Sequence, residues 1–376
     1  MSKTDKKLSA ISLVLVAVMV FTAIFNVIYV GNIAAAKISN NNQQLPTDNA
    51  GFVKSDMNFD SIREQYLNHE LVQKNTASYD GDRWVIVELT GGTLYDAFKT
   101  STRYNDFSSY TASVEGQKVQ ASIKADHTTF LNRLSRHGID YQLKYTYSAI
   151  TNALAIKVNA EAYNAIRKMS GVADVYYTEY YDVPKVAVEN NANVYTTGIY
   201  NTEGIDYHGE GMVVAVLDTG LDATHEAFQN MPKDGGRLKK TDIENAVNAV
   251  DNNGRRKLLA EGTADDFYYN EKVPFAYDYA DDDPNVYPAY SSHGTHVAGI
   301  VAGKSDYVVN EETGETFVGV APEAQLVICK VFTDNLDSEV LGGANTMGIL
   351  AALNDCAVLG VDVINMSLGS SAGFSE

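Results

Sequence analysis

Met212-Val213-Val214-Ala215-Val216-Leu217-Asp218-Thr219-Gly220 is the stretch that decides the fold of the C-terminal half of this chain. Its apolar residues run on without polar alternation. That is the signature of a strand buried on both faces, as in a parallel sheet covered by helices. A carboxylate and a turn glycine close the run, so Asp218 stands where the strand delivers its carboxyl end. Gln325–Val331 and Val361–Met366 repeat the apolar strand pattern. Val297–Ala302 opens a helix, and Gly343–Leu359 is a long apolar helix. Strand, helix and strand in alternation predict an α/β domain, a parallel sheet with helices on both faces. In such sheets the chemistry gathers outside the carboxyl ends of the strands, which makes Asp218 the first candidate.

The second candidate lies in Ser292-His293-Gly294-Thr295-His296-Val297-Ala298-Gly299. Ser292 is expected to cap a helix, placing His293 at its first turn. The positive end of a helix dipole disfavours imidazolium, so the ring is expected to rest neutral and act as a base. A buried carboxylate such as Asp218 can orient that imidazole. A zinc helix requires His-Glu-x-x-His, which His293 and His296 do not supply, so no metal is assigned. His293 is read as catalytic and His296 as structural. Asp-Thr-Gly also occurs in aspartic proteases, but those need two carboxylates sharing a proton, and the chain has no second Asp-Thr-Gly.

Upstream, Asp82–Asp182 is regular. Trp84–Leu89 reads as a strand, and Val119, Ile123, Phe130 and Leu134 recur at helical spacing up to Gly138. Tyr141–Tyr147 and Leu154–Val158 read as strands, with Leu154, Ile156 and Val158 on one face. Glu161–Met169 reads as a helix and Val172–Tyr177 as the last strand. The order β-α-β-β-α-β is the ferredoxin-like α+β motif.

The N-terminus reads as a targeting segment over residues 1–36. Lys3, Lys6 and Lys7 precede an apolar run from Leu8 to Val30, and Ala34-Ala35-Ala36 follows. This is a signal peptide or a membrane anchor, and in either case the only contact with a membrane. Residues 37–79, rich in Asn, Gln, Ser and Asp, read as a linker with one short helix near Asp60–Gln73. Over 376 residues, 29 basic against 48 acidic side chains give a net charge of −19. Such a balance excludes a nucleic-acid partner, which needs a basic surface. The two cysteines, Cys329 and Cys356, exclude a disulfide scaffold and read as small buried hydrophobes. The acidic stretches Asp265-Asp266-Phe267-Tyr268-Tyr269 and Asp281-Asp282-Asp283 offer carboxylates for calcium. The lack of ordered ligand spacing favours a solvated surface instead.

In order and wording these motifs resemble the subtilisin-like serine peptidases (subtilases). Gly319-Val320-Ala321-Pro322 and Val363-Ile364-Asn365-Met366-Ser367-Leu368-Gly369 extend the match. Residues 80–182 resemble the family's inhibitory propeptide through Asn152-Ala153-Leu154-Ala155-Ile156 and Gly171-Val172-Ala173-Asp174-Val175. The long acidic, aromatic loops resemble the lactocepin-like cell-envelope proteinases of Gram-positive bacteria. The resemblance implies a subtilisin-like parallel sheet over residues 183–376, with Asp218 as orienting acid and His293 as general base. It implies that Ser367, Leu368 and Gly369 line the substrate pocket and pair with an extended peptide. It further implies a peptide or protein substrate, a propeptide bound to its own catalytic domain with a processing point near Tyr180-Tyr181-Asp182, and a secreted or cell-surface location.

The family's nucleophile motif, Gly-Thr-Ser-Met/Ala, and its oxyanion Asn do not occur. Gly369-x-Ser371-x-Gly373 imitates a hydrolase elbow but lacks the strand-turn-helix context. The expectation is therefore an N-terminal fragment of an exported serine endopeptidase precursor. Its sheet would be truncated, and without a nucleophile it would have no acyl-enzyme route. The alternative expectation is a non-catalytic propeptide-type inhibitor or folding assistant, or an inactive truncated gene product.

Overall fold

The computed structural model describes residues 81–181, 207–249, 258–312, 314–335 and 343–369. The expected leader, the linker, residues 80 and 182, and the Ser371 elbow lie outside these residues.

The N-terminal module runs β1 (Arg83–Leu89), α1 (Leu94–Thr100), α2 (Phe107–Ala112), α3 (Val114–Arg136), β2 (Gln142–Tyr147), β3 (Ala153–Val158), α4 (Ala160–Ile166) and β4 (Val172–Tyr177). The strands form one antiparallel sheet in the order β2-β3-β1-β4, the topology of the split β-α-β-β-α-β motif. Ser113 caps α3, its Oγ accepting the Gly116 N–H at 3.0 Å, and Gly138 turns the chain out of it with φ +68°, a conformation that glycine adopts without strain.

One face of this sheet carries Val85, Val87, Leu154, Ile156 and Val158 against Phe130 and Leu134 of α3 and Ile166 of α4. Leu154, Ile156 and Val158 share this face as expected, and the opposite face of the strand is covered as well. Ala153 and Ala155 are equally buried, because together with Ile86, Tyr145 and Tyr147 they belong to a core shared with the C-terminal part. The strand is apolar on both faces because both faces are covered.

The chain continues with β5 (Tyr180–Tyr181), β6 (Val213–Asp218), α5 (Lys240–Asn248), α6 (Ala264–Phe267), β7 (Phe275–Asp278), α7 (His293–Ala302), β8 (Lys304–Asn310), β9 (Glu315–Val318), β10 (Gln325–Lys330), β11 (Ala344–Asn345), α8 (Thr346–Leu359) and β12 (Val363–Met366). Strands β12-β6-β10-β7 form a sheet parallel throughout. Val214, Val216, Leu326 and Ile328 face Val297, Ala298 and Ala302 of α7. Ala215, Leu217, Val327 and Cys329 share the opposite core with Met347, Ala351 and Cys356 of α8. This is the α/β class expected, with helices on both faces.

The helix expected from Gly343 begins at Thr346. Ala344 and Asn345 instead pair antiparallel with Tyr181 and Tyr180, and Asn345 then caps the helix by accepting the Gly348 N–H at 2.9 Å. Both cysteines are free and buried, with sulfurs 3.7 Å apart. Among the described residues no helix is long and apolar enough to cross a membrane.

Candidate active site

Register brings three charged residues to one level. Lys330 is the Cα partner of Asp218 on one side and of Asp278 on the other. The ends of β6, β10 and β7 thus stand side by side, where an α/β sheet presents its chemistry.

Asp218 is 1% exposed. Its Oδ1 accepts the Thr219 N–H at 2.7 Å and stands 2.7 Å from Nδ1 of His293. A carboxylate only accepts, so Nδ1–H donates and Nε2 is the ring nitrogen left facing away from the acid. Burial raises the Asp218 carboxyl above the usual carboxylate range, against the bonds from His293 and Thr219.

The helix start is held by a different residue from the one expected. Ser292 occupies the cap position, but its side chain makes no capping bond. Thr219 takes that role: its Oγ1 accepts the Gly294 N–H at 2.9 Å and donates to the Ser291 carbonyl at 2.8 Å. Thr295 Oγ1 accepts the Asp222 N–H at 2.9 Å. These bonds staple the turn after β6 to the first turn of α7, and so fix the imidazole against the acid. The approach is close enough that a Cβ on Gly294 would lie 2.3 Å from the Gly220 carbonyl oxygen, so only glycine fits.

His296, one turn further along α7, is exposed. The structural role assigned to it finds no buried setting. Met366 of β12 pairs with Leu217, which puts Ser367 level with Asp218 on the neighbouring strand. Ser367 Oγ donates to Asn365 Oδ1 at 3.0 Å. Leu368 packs against the core, and Gly369 is exposed.

Beneath the pair lies a charged network the sequence reading missed. Lys330 Nζ donates to Asp278, with Asp281 and Asp334 carboxylates at 3.4 and 3.3 Å. Burial pushes the Lys330 ammonium down, but the surrounding carboxylates outweigh it and hold it charged. Burial takes the Asp278 carboxyl up to about 7 against the pull of Lys330. A lysine closing the apolar run Gln325–Lys330 was the available signal. The acidic triplet is thus partly internal: Asp281 also accepts from the Thr333 hydroxyl and, at 2.9 Å, from the Asp334 N–H. The Asp265-Asp266 stretch forms α6, whose Phe267 is fully buried. Among the described residues no group of three or more His, Cys, Asp or Glu side chains is arranged to hold a metal ion.

A buried carboxylate bonded to an imidazole thus stands at the carboxyl end of a parallel sheet. Residues 209–376 match the model of the subtilase family, so this part of the chain is a subtilase-family region. The PI-type proteinase of Lactococcus lactis subsp. cremoris is 31% identical over 296 residues, covering 77% of this chain and 14% of that protein. A C5a peptidase of Streptococcus pyogenes is 33% identical over 169 residues, covering 44% of this chain and 12% of that protein. The chain therefore spans about one seventh of the length of the curated relatives it matches. Among solved structures, the epidermin leader peptide processing serine protease of Staphylococcus aureus is similar with a TM-score of 0.40 and 16% identity. That match covers 76% of this chain and 50% of the other.

Proposed function

We propose that the protein is an exported serine endopeptidase precursor in which Asp218 and His293 are the acid and base of an Asp-His-Ser triad. The observation that carries this reading is the 2.7 Å contact between His293 Nδ1 and buried Asp218. In the mechanism it supports, Nε2 takes the proton of the nucleophilic hydroxyl and later gives it to the leaving amine. Asp218 keeps Nδ1 protonated and stabilises the imidazolium that forms. No described residue is assigned the role of the nucleophile. Ser367, Leu368 and Gly369 continue β12 beside the acid, where an extended substrate would add its backbone as a further strand.

The N-terminal module is read as the inhibitory propeptide, covering residues 80–182, and a peptide or protein as the substrate. Its seating on α8 and the pairing of β5 with β11 support an intramolecular inhibitor. Export to the cell surface rests on the basic start and the apolar run Leu8–Val30, together with the relatives' kinship. The test is expression from the complete reading frame and assay on an unfolded protein substrate. His293→Ala is expected to abolish hydrolysis, and full activity in that variant would overturn the assignment.

A second reading, a non-catalytic inhibitor or folding assistant, is favoured by the complete β-α-β-β-α-β topology. Slow, tight inhibition of a related subtilase by the whole chain carrying His293→Ala would support it.

A further inference from the structure

The N-terminal module and the C-terminal part meet over an apolar core, with polar contacts at two places: Glu179 and β5, just after β4, and a second set in or just after β2. Five residues supply the set at β2. Lys144 Nζ and the Tyr145 hydroxyl both donate to the carboxylate of Asp282. The Tyr147 hydroxyl donates to the Met347 carbonyl at 3.0 Å. Oδ1 of Asn354, on α8, accepts the N–H groups of Ser148 and Ala149 at 3.4 and 3.0 Å.

Asp282 differs from the other anchors. Among the described residues it is the only non-glycine with positive φ, at +58°, a conformation that costs free energy unless its surroundings impose it. The surroundings do impose it. Asp278 and Asp283 exchange backbone bonds at 2.9 and 3.2 Å. Asp278 Oδ1 accepts the Ala280 and Asp281 N–H groups at 2.9 and 3.0 Å. Asp281, next in the turn, is tied to Thr333 and Asp334. The turn is built rigidly from the buried end of β7, and it holds one carboxylate out toward the module.

We propose that Asp282 is the charge-reading latch by which the C-terminal part recognises its own N-terminal module, the partner groups being the Lys144 ammonium and the Tyr145 phenol. The apolar face supplies adhesion that any flat apolar sheet provides. The latch supplies register, because a bidentate carboxylate on a fixed turn accepts one cation and one hydroxyl from adjacent residues of a single strand. A module lacking a cation opposite Asp282 would leave that partly exposed carboxylate with the Tyr145 phenol alone, which disfavours the wrong partner. This inference rests on reading the module as a propeptide, and it assigns the residue that makes the propeptide specific.

The test is hydrogen exchange on the full chain for the parent, Asp282→Asn, Lys144→Met and the double variant. Asparagine tolerates the left-handed turn, so Asp282→Asn removes the charge and keeps the backbone. The Ser148 and Ala149 amides are expected to exchange about ten-fold faster in each single variant, and no faster in the double variant. Amides of Leu154–Ile156, inside the module, report that it stays folded. Trp84, the only tryptophan of the chain, shares a cavity with Lys144 and Tyr145, and its fluorescence gives a second readout. Exchange within two-fold of the parent in either single variant, or effects that multiply in the double variant, would overturn the latch. These readouts need no peptidase activity, so a failed latch and a failed propeptide reading are told apart by assaying hydrolysis separately.

Discussion

The antiparallel sheet β2-β3-β1-β4 and the parallel sheet β12-β6-β10-β7 have four strands each, yet they bury different polar groups. Inside the antiparallel module the buried polar side chains are mainly hydroxyls and amides, namely Thr111, Gln120, Ser148, Asn152 and Thr178, with Lys124 and His127 the titratable exceptions. The parallel part buries Asp218, Lys272, Asp278, Glu323, Lys330 and Asp355. A small antiparallel sheet with short turns can send its charges to water. A parallel sheet covered on both faces ends its strands inside the protein, so any charge placed there must be held by partners. Lys272 shows what this costs: burial takes its ammonium down to about 8, although the Pro322 and Ala324 carbonyls accept from Nζ at 2.7 Å. Charge-dependent behaviour should therefore concentrate in the parallel half.

The largest break in that contrast is expected from Asp218→Asn. An amide in place of the carboxylate no longer fixes the Nδ1–H tautomer of His293, which would turn Nε2 away from its proposed role as base. In the complete protein kcat should fall by about 10,000-fold, with little change in KM. Steady-state kinetics on a peptide substrate checks this, and a loss below about ten-fold would mean that the pair does not carry the chemistry.

Asp355 comes next. It is fully buried in α8, and its carboxylate accepts the Leu259 and Ala260 N–H groups at 2.8 Å and the Tyr279 hydroxyl at 2.9 Å. Asp355→Ala leaves these donors unpaired and should cost about 3 kcal/mol in urea unfolding. Asn152→Ala, in the neutral module, should cost about 1 kcal/mol. Burial raises the Asp355 carboxyl from 3.8 to about 6. Its folded-state pKa exceeds the unfolded one, so its contribution to stability is full below pH 3.8 and declines as pH rises through about 6. The difference between parent and Asp355→Ala should therefore shrink across that window.

The same contrast explains what could be read from the chain beforehand. Both sheets, the topology of the module and the pairing of Asp218 with His293 were legible, because unbroken apolar runs and a short motif encode local structure directly. The double burial of β3 was not. Alanines at 153 and 155 look neutral until α8, some 200 residues later, packs against them. Nor was the role of Thr219, which caps a helix through its bond to Gly294, 75 residues downstream, rather than leaving the task to Ser292. The Lys330 network stayed hidden for a similar reason. Asp278 and Asp281, at the end of β7 and in the turn after it, reach Lys330 only through strand register, and Asp334 joins them from just beyond β10. Asn354 and Asp355 did leave a trace, two polar residues inside an otherwise apolar helix.

Neighbouring residues of β1 sharpen the comparison at smaller cost. Val87 faces the module's own helices and Ile86 the shared core, because successive side chains of a strand point to opposite faces. Either substitution by alanine should destabilise by about 2 kcal/mol. Val87→Ala should loosen the module throughout, read as faster exchange of the Leu154 and Ile156 amides. Ile86→Ala should leave those amides protected and speed exchange at Ser148 and Ala149. Identical exchange patterns for the two variants would mean that the module and its seat unfold as one unit.

The smallest effect is expected at Thr346, the first residue of α8. Its Oγ1 accepts the Glu179 N–H at 2.9 Å and donates to the Glu179 carbonyl at 3.2 Å. The Thr346 backbone N–H donates to the same carbonyl at 3.1 Å. Thr346→Val keeps the shape and the backbone bond but removes the hydroxyl. The site is exposed, so water takes over the freed groups, and the loss should be only about 0.5–1 kcal/mol. Its value lies in its position: Glu179 directly precedes the Tyr180–Tyr181 strand that pairs with Asn345 and Ala344. If that pairing is held mainly by its own backbone bonds, Thr346→Val will leave exchange at Tyr181 unchanged within two-fold. A ten-fold rise there would show instead that the hydroxyl sets the register of β5 on β11, and that a neutral group at the rim does for this strand what the Asp282 carboxylate does for β2.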